Sequence, residues 1–331
     1  MRVLLHAGRR VAGPLARMTR RVAARVTLGT ALAAAVGFAA YALAGPAKDA
    51  KLEVTRFSAG KGLTGAFARC PPGKRVVGGG MLKLERGILR AGGSGPLDGS
   101  TPGAPSNPAQ AVANTGDGDL AKRWYAGYAN PSSKRRGAKA LAICSRGSDA
   151  RVEATRFSVG ARASGHASAT CPAGKRAVGG GVIQYSWPDN AILASAPLDA
   201  SGRAKNTWDG DVAKRWYALI HNYPNHRVRF KVFALCSADS RARIEVTRTW
   251  AKAGGTGRAR ARCGSNRRAL GGGVVESHKR FLRVWASGPL DATGVPANTT
   301  DGDVAKQWYG AVENTNPERV RVKVLAICEP R

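Results

Sequence analysis

The sequence contains little of what most active sites are built from. Its 331 residues include only five histidines, and aromatic residues make up 6% of the chain. No nucleophile elbow, no zinc-hydrolase helix and no recurring pair of glutamates suited to acid–base work on sugars is present. We therefore predict that the protein is not an enzyme and needs no cofactor. The enzymatic alternative is a site confined to one part of the chain, around His221 and His226.

Helical periodicity is also absent after residue 45, which argues against a helical fold. Short alternating segments take its place, separated by Gly, Pro, Asn and Asp at intervals typical of sandwiches and barrels. Leu52–Phe57 and Arg243–Arg248 alternate with a period of two. Arg227–Cys236 and Arg319–Cys328 alternate basic and apolar residues before they become wholly apolar. These patterns predict strands. The two segments that end in cysteine are expected to have one solvent-exposed, basic face and one face in the core.

One sequence pattern occurs three times between residue 51 and the end of the chain. Cys70–Gly80 is followed 101 residues later by Cys171–Gly181, and Cys263–Gly273 follows a further 92 residues on. Such a period indicates duplication of a structural unit. The predicted units span residues 51–144, 151–236 and 243–328.

The repeat leads to a prediction of the fold. We predict an all-β protein of three tandem, disulfide-stapled antiparallel units, each a sandwich-like lobe of five or six strands. Three compact lobes in contact are favoured, and closure into a pseudo-threefold prism stays open as the alternative. Nine extra residues of the first copy lie between Asp98 and Trp124, in a stretch rich in Pro, Gly and Ser. That composition predicts an enlarged surface loop.

The first 44 residues predict an export signal or a membrane anchor. Residues 1–25 carry seven arginines and no acid, and residues 26–44 carry no charge. Small residues at Ala42–Ala44 favour cleavage before Gly45. If the segment is retained, its 19 apolar residues are just enough to cross a bilayer. Both interpretations predict that the repeats are extracellular or lie on the outer face of the cytoplasmic membrane.

All six cysteines lie in the repeats, two in each, which is typical of disulfides in an oxidising compartment. Two sets of pairings respect the repeat. Pairing between neighbouring units would require the two ends of the chain to meet. Pairing within each unit needs no neighbour and closes a loop that stabilises the fold by roughly 4 kcal/mol. We favour the second set, which is Cys70–Cys144, Cys171–Cys236 and Cys263–Cys328.

Pairs of basic residues recur at equivalent positions of the units. Without the first 44 residues, 46 basic residues face 21 acidic ones. Such a surface attracts polyanions, and a weak site repeated three times binds a polymer through raised effective concentration. The predicted contacts are Lys74, Arg75, Lys175, Arg176, Arg267 and Arg268, with Lys122, Arg123, Lys214 and Arg215.

Adjacent Trp and Tyr residues also recur, and on a strand they point to opposite faces. We predict that each Trp lies in the core and each Tyr faces solvent. Three exposed rings could stack on sugars, so a lectin-like alternative uses Tyr125, Tyr217 and Tyr309. An Asp-Gly-Asp motif precedes each pair. We interpret it as turn chemistry and predict no metal site, because the calcium-loop pattern with its bidentate Glu is missing.

Three consecutive glycines follow the first basic pair of every unit. They lack the Gly-Lys-Ser/Thr signature of a phosphate-binding loop, and no helix pattern follows them. Glycines inside an apolar strand more often mark a bulge or the close approach of another backbone. We predict this structural role.

The string Cys171-Pro-Ala-Gly-Lys-Arg-Ala-Val-Gly-Gly-Gly-Val182 is followed about 55 residues on by an apolar strand with a cysteine. This arrangement resembles repeats in secreted actinobacterial proteins of no assigned activity. The resemblance covers the chain from about residue 51 onward and implies an extracellular β module. The third copy, Cys263-Gly-Ser-Asn266, lacks the proline.

Together these features lead us to expect a non-enzymatic secreted or envelope-associated protein that binds an anionic polymer of the cell wall or the surroundings. A glycan-binding module is the first alternative, and an enzyme acting on the wall is the second. Nucleic acid could bind the same charges in vitro, and such binding would not prove a nucleic-acid role, because phosphate contacts are independent of sequence. Contact with a membrane is expected only through residues 26–44, if they are retained.

Overall fold

A computed structural model describes residues 47–85, 87–100, 109–185, 190–276 and 282–331. The predicted export signal or anchor, residues 1–44, lies outside these ranges, and so do residues 101–108 of the enlarged loop. Within the part of the chain that is described, no helix is long and apolar enough to span a membrane.

The described residues form six strands in each unit, the upper end of the predicted count. The first unit contains β1 Lys51–Ala59, β2 Gly62–Arg69, β3 Arg75–Lys83, β4 Arg90–Leu97, β5 Arg123–Asn130 and β6 Arg136–Ser145. The second contains β7 Arg151–Val159, β8 Ser164–Thr170, β9 Arg176–Gln184, β10 Asn190–Leu198, β11 Arg215–Asn222 and β12 Val228–Ser237. The third contains β13 Arg243–Ala251, β14 Thr256–Arg262, β15 Arg267–Glu276, β16 Leu282–Leu290, β17 Gln307–Asn314 and β18 Val320–Pro330.

Two short helices lie between the fourth and fifth strands of the first two units. Helix α1 spans Ala109–Asn114, and a 3-10 helix spans Ala204–Asn206. The sequence pattern does not predict them, because so few residues cannot show a helical period.

Each unit divides its strands between two sheets. Its first, sixth and third strands form one half-sheet, and its second, fifth and fourth strands form another. The fourth strand of one unit then pairs with the third strand of a neighbour, which joins two half-sheets into one antiparallel sheet. The resulting sheets have the orders β1-β6-β3-β16-β17-β14, β13-β18-β15-β10-β11-β8 and β2-β5-β4-β9-β12-β7.

This pairing closes the three units into a pseudo-threefold prism. β4 pairs with β9, β10 pairs with β15, and β16 pairs with β3, so the third unit returns to the first. The prediction of an all-β fold of tandem, disulfide-stapled antiparallel units is confirmed. The preference for three compact lobes in contact over a closed prism is corrected, because every sheet contains strands of two units. A lone unit would leave the edges of its third and fourth strands unpaired.

The triple glycines allow the three units to meet closely. A Cβ added to Gly78, Gly179 or Gly271 would lie within 3.0 Å of backbone atoms of a neighbouring unit. The strand pairing of β3 also shifts register between Val76 and Gly78. The predicted structural role of the glycines, a bulge or a close backbone approach, is therefore confirmed, and both features are present.

Tryptophans pack against the second glycine of each triplet. Trp124, Trp216 and Trp308 are at most 2% exposed, so their predicted core position is confirmed. Each Nε1–H donates to a serine Oγ on the fourth strand of its own unit, at 2.8–2.9 Å. The three tryptophans and three serines line one small cavity of about 20 Å³, to which all three units contribute.

The disulfides link the two half-sheets of each unit. They are Cys70–Cys144, Cys171–Cys236 and Cys263–Cys328, each with Cα atoms 5.5 Å apart. In the first unit, Cys70 directly follows β2 and Cys144 lies in β6, which belongs to the other sheet. Pairing within units is confirmed. The three bonds indicate an oxidising, extracellular environment.

The Asp-Gly-Asp segments form turns that cover the first strand of the next unit. The Gly210 N–H donates to the Ile244 carbonyl at 2.8 Å, and the Ile244 N–H donates to the Asp211 carbonyl at 2.8 Å. The Asp209 carboxylate accepts from the Val246 N–H. Because β13 is an edge strand, the turn satisfies backbone groups that would otherwise be unpaired. Equivalent bonds join residues 117–119 to β7 and residues 301–303 to β1.

A buried lysine on the sixth strand of each unit binds a loop of a neighbour. Lys139, Lys231 and Lys323 are at most 2% exposed. Lys231 Nζ donates to the carbonyl oxygens of Val112 and Thr115, at the end of α1, at 2.7 and 2.6 Å. Burial lowers the pKa of Lys231 and of Lys323 to about 8, so both remain mostly protonated at pH 7. The prediction of a solvent-exposed, basic strand face is therefore wrong at these lysines, because a loop of a neighbouring unit covers them.

Replacing Lys231 by methionine is expected to lower the free energy of unfolding by about 2–3 kcal/mol, because buried carbonyls lose their donor. Urea unfolding followed by circular dichroism measures the change. Lys252→Met is the matched control at an exposed position and is expected to change stability by less than about 0.5 kcal/mol. Equal effects of the two substitutions would contradict a stabilising role of the Lys231 contacts.

Candidate functional site

The first basic residue of each repeated pair lies near a glutamate on the first strand of its own unit. The pairs are Lys74 with Glu53, Lys175 with Glu153, and Arg267 with Glu245. Arg267 Nη1 is 3.2 Å from Glu245 Oε1. Burial raises the pKa of Glu53, and the charge of Lys74 acts in the opposite direction. Part of the repeated positive charge is thus balanced within each unit.

The second basic residue of each pair lies close to the start of the next unit. Arg176 Nη1 donates to the Ala242 carbonyl at 3.4 Å, and Arg268 Nη1 donates to the Ala50 carbonyl at 3.0 Å. Burial lowers the pKa of Arg75, and charges at the start of the second unit also act on it. These arginines therefore help to join consecutive units and to close the third unit onto the first.

The later basic pair binds backbone carbonyls within its own unit. Lys122 and Lys214 donate to carbonyls in the segment of the earlier pair, at 3.3 and 3.0 Å. Arg123 and Arg215 donate to the loop after the fourth strand, at 3.1 and 2.9 Å. Gln307 donates to the same loop in the third unit, so the position needs a donor and no charge. The fold thus accounts for the repetition of these residues without a ligand.

The three repeated tyrosines have different surroundings. Tyr125 is 0% exposed, so the prediction that it faces solvent is wrong. Phe67 packs against it with ring centroids 5.5 Å apart, and Gly65 provides space where a Cβ would meet the Tyr125 ring. Tyr217 and Tyr309 are half-buried, and each lines an open groove. The structure therefore leaves two of the three predicted rings accessible to a ligand.

The groove beside Tyr309 has a volume of about 430 Å³ and combines aromatic with basic side chains. Tyr309 and Trp285 form its aromatic part. Arg258 and Arg260 are exposed and project from the same face of β14, because alternate residues of a strand share a face. Lys83 enters from the first unit, and its Nζ lies 4.4 Å from the centre of the Trp285 ring. The groove is thus built by the third and first units together.

Positive charge is concentrated in this groove. Burial lowers the pKa of Lys83, and the charge of Arg258 lowers it further. Burial raises the pKa of Tyr309, whereas Arg258 and Arg260 act in the opposite direction. Three cationic side chains line the groove together with one carboxylate, that of Glu85. The arrangement can hold an anionic group beside an aromatic face.

Sequence reasoning missed the cations of this groove because they do not recur. His166 and Ser168 occupy the places of Arg258 and Arg260 in the second unit. The available signal was the alternation of arginine and alanine over residues 258–262, which places several positive charges on one face of a strand.

The groove beside Tyr217 is larger, about 600 Å³, and its charges are mixed. Arg203 and Arg215 line it together with Glu276 and His166. Burial raises the pKa of Tyr217 to about 12, with a smaller contribution in the same direction from the charge of Glu276. Arg215 and Tyr217 are both predicted contacts, and here they line the same groove.

Among the described residues, no group of three or more His, Cys, Asp or Glu side chains could hold a metal ion. His221 Nδ1 lies 3.0 Å from Ser164 Oγ, and His226 is exposed. Comparison with known proteins finds no family model and no curated protein that matches this chain. The function is therefore inferred from the chemistry of the two grooves and of the surface around them.

Proposed function

We propose that this chain is a non-enzymatic, exported protein of the cell envelope that binds an anionic polymer of the wall or the surroundings. The groove beside Tyr309 supports the proposal most directly, because three cations from two units converge there on aromatic rings. Arg258 and Arg260 would hold phosphate or carboxylate groups through charge-assisted hydrogen bonds. Tyr309, which is half-buried, would pack against the repeating part of the polymer.

The overall charge supports the same ligand class. Outside the first 44 residues, basic residues outnumber acidic ones by 46 to 21. The repeated pairs from Lys74 onward contribute to this field even where they bond to the backbone, and the field raises the rate at which a polyanion meets the groove. Export follows from the predicted signal in residues 1–44, which is either cleaved or holds the protein at the outer face of the membrane.

The full chain is expected to sediment with purified cell walls at low salt and to be released at high salt, because exposed charges are screened. Arg258→Gln/Arg260→Gln should weaken this binding about tenfold, since hydrogen bonds between charged groups are lost. Lys134→Gln/Arg135→Gln removes the same charge from an exposed turn and should have little effect. Equal losses in the two variants would contradict a role for the groove.

The groove beside Tyr217 favours the glycan-binding alternative, because it pairs an accessible ring with both acidic and basic hydrogen-bonding groups. A neutral polysaccharide is the test ligand. Binding that survives high salt and is lost in Tyr217→Ala would support that alternative over the anionic polymer. Binding of walls that disappears with salt and is unchanged in Tyr217→Ala would support the anionic polymer.

A further inference from the structure

Two exposed tryptophans lie close to the edge strand β13. Trp208 is 44% exposed and Trp250 is 49% exposed. Trp250 lies in β13 opposite Arg321 of β18. Trp208 directly precedes the Asp-Gly-Asp turn that bonds to β13. Single exposed apolar side chains are common, but two large rings on one small area call for an explanation.

Arginines are stacked on both rings. The guanidinium carbon of Arg248 lies 4.2 Å from the centre of the Trp208 ring. Those of Arg319 and Arg321 lie 4.6 and 5.5 Å from the centre of the Trp250 ring. All three arginines are exposed. We refer to these two tryptophans and three arginines as the Arg–Trp strip.

Contacts of Lys323 and Asp211 hold Trp208 in place. Lys323 Nζ lies 4.0 Å from the centre of its ring. The same ammonium group donates to the carbonyls of Ala204 and Thr207, at 2.7 and 2.9 Å, in the loop that carries Trp208. The backbone N–H of Trp208 donates to Asp211 Oδ2 at 2.7 Å, which fixes the turn that carries the ring. The ring is therefore ordered before any ligand arrives, which lowers the entropic cost of binding.

The fold itself does not require the two tryptophans. Small residues occupy the equivalent positions of the other units: Gly116 and Thr300 for Trp208, and Ser58 and Ser158 for Trp250. The same turns and strand pairs form in all three units. The exposed rings are thus a feature of one face of the prism, and their explanation lies outside folding.

We propose that the Arg–Trp strip binds single-stranded nucleic acid. The three arginines would turn from the rings to contact phosphates, and bases would take their places on the two tryptophan rings. Combining a positively charged track with aromatic platforms is how proteins bind single strands without reading their sequence. A polyanion without flat rings would use the arginines alone. The strip lies on a different sheet from the Tyr309 groove, so this inference does not depend on the proposed function.

Fluorescence anisotropy on the full chain tests the inference with two ligands. One is an oligothymidylate of about 12 nucleotides, and the other is an abasic oligonucleotide of the same length and charge. The oligothymidylate should bind about tenfold more tightly, because only it can stack. Trp250→Ala and Trp208→Ala should each weaken oligothymidylate binding about tenfold and leave binding of the abasic strand unchanged.

Matched variants separate stacking from charge. Arg319→Gln/Arg321→Gln should weaken binding of both ligands, whereas Arg258→Gln/Arg260→Gln, in the Tyr309 groove, should leave the preference for bases intact. Equal affinity of the wild-type chain for the two ligands would overturn the inference. So would tryptophan variants that weaken both ligands equally, or an acidic polysaccharide whose binding depends on Trp250 while that of the oligothymidylate does not.

Discussion

Gly179→Ala is expected to destabilise the folded chain by at least about 3 kcal/mol, because the new methyl group overpacks a rigid backbone contact. A Cβ at this position would lie within 3.0 Å of the Val77 carbonyl oxygen and of Gly78 Cα, both in the first unit. No rotamer change can relieve such a contact, since both partners are backbone atoms. The unfolding midpoint in urea measures the loss.

The matched control for this substitution is Gly264→Ala. Gly264 has no atom within 4 Å of an added Cβ, and its φ is not in the left-handed region. Alanine there should change stability by less than about 1 kcal/mol, and the lower freedom of the unfolded chain favours a small gain. If Gly179→Ala behaved like this control, the first and second units would not meet as the closed prism requires.

Removing one disulfide with Cys171→Ala/Cys236→Ala is expected to cost about 4 kcal/mol. The two cysteines are separated by 65 residues, and the cross-link restricts the unfolded chain over that loop. The bond also ties together the two half-sheets of the second unit. Urea unfolding of this variant and the wild-type chain, both without reductant, measures the difference.

Cys263→Ala/Cys328→Ala is a matched comparison, because its loop has the same separation of 65 residues. The loop-entropy contribution should therefore be similar in both variants. Peptide mapping without reductant checks the pairing itself, and fragments that join Cys144 to Cys171 would contradict bonds within units. A loss below about 1 kcal/mol in both variants would show that these loops are already constrained in the unfolded chain.

Local patterns are sufficient to predict the strands and to limit the possible cysteine pairs. Alternation over Arg319–Cys328 requires one buried face whichever sheet receives the segment, and β18 forms there. Two cysteines in each unit limit the pairings that respect the repeat to two sets. Both predictions depend on features that every copy carries, so each copy supports the others.

Local patterns do not identify the strand with which a given strand pairs. A half-buried strand shows the same alternation whether its neighbour belongs to its own unit or to the next. The preference for three compact lobes in contact was wrong for this reason, because alternation in β4 and β9 does not show that they pair with each other. Only the triple glycines hinted at a close approach, and they do not identify the backbone that approaches.

The burial of the repeated side chains also depends on distant residues. Tyr125 and Tyr217 occupy equivalent positions after a tryptophan, yet only Tyr125 is fully buried. The difference arises across the strand pair, where Phe67 stands in the first unit and Ser168 in the second. Lys231 resembles an exposed strand lysine in sequence and is buried because a loop of another unit covers it.

By itself, the sequence determined the all-β class, the threefold repeat, the two sets of disulfide pairings that respect it and the strongly basic composition. These follow from periodicity, composition and spacing, which act locally or through simple counting. Only the tertiary structure decided that the units share sheets, that the repeated cations mostly bind the protein's own backbone, and that Arg258, Arg260, Trp208 and Trp250 lie at open surfaces. Such features depend on contacts between residues far apart in the chain, and no local pattern encodes which distant segment will pack against a given residue.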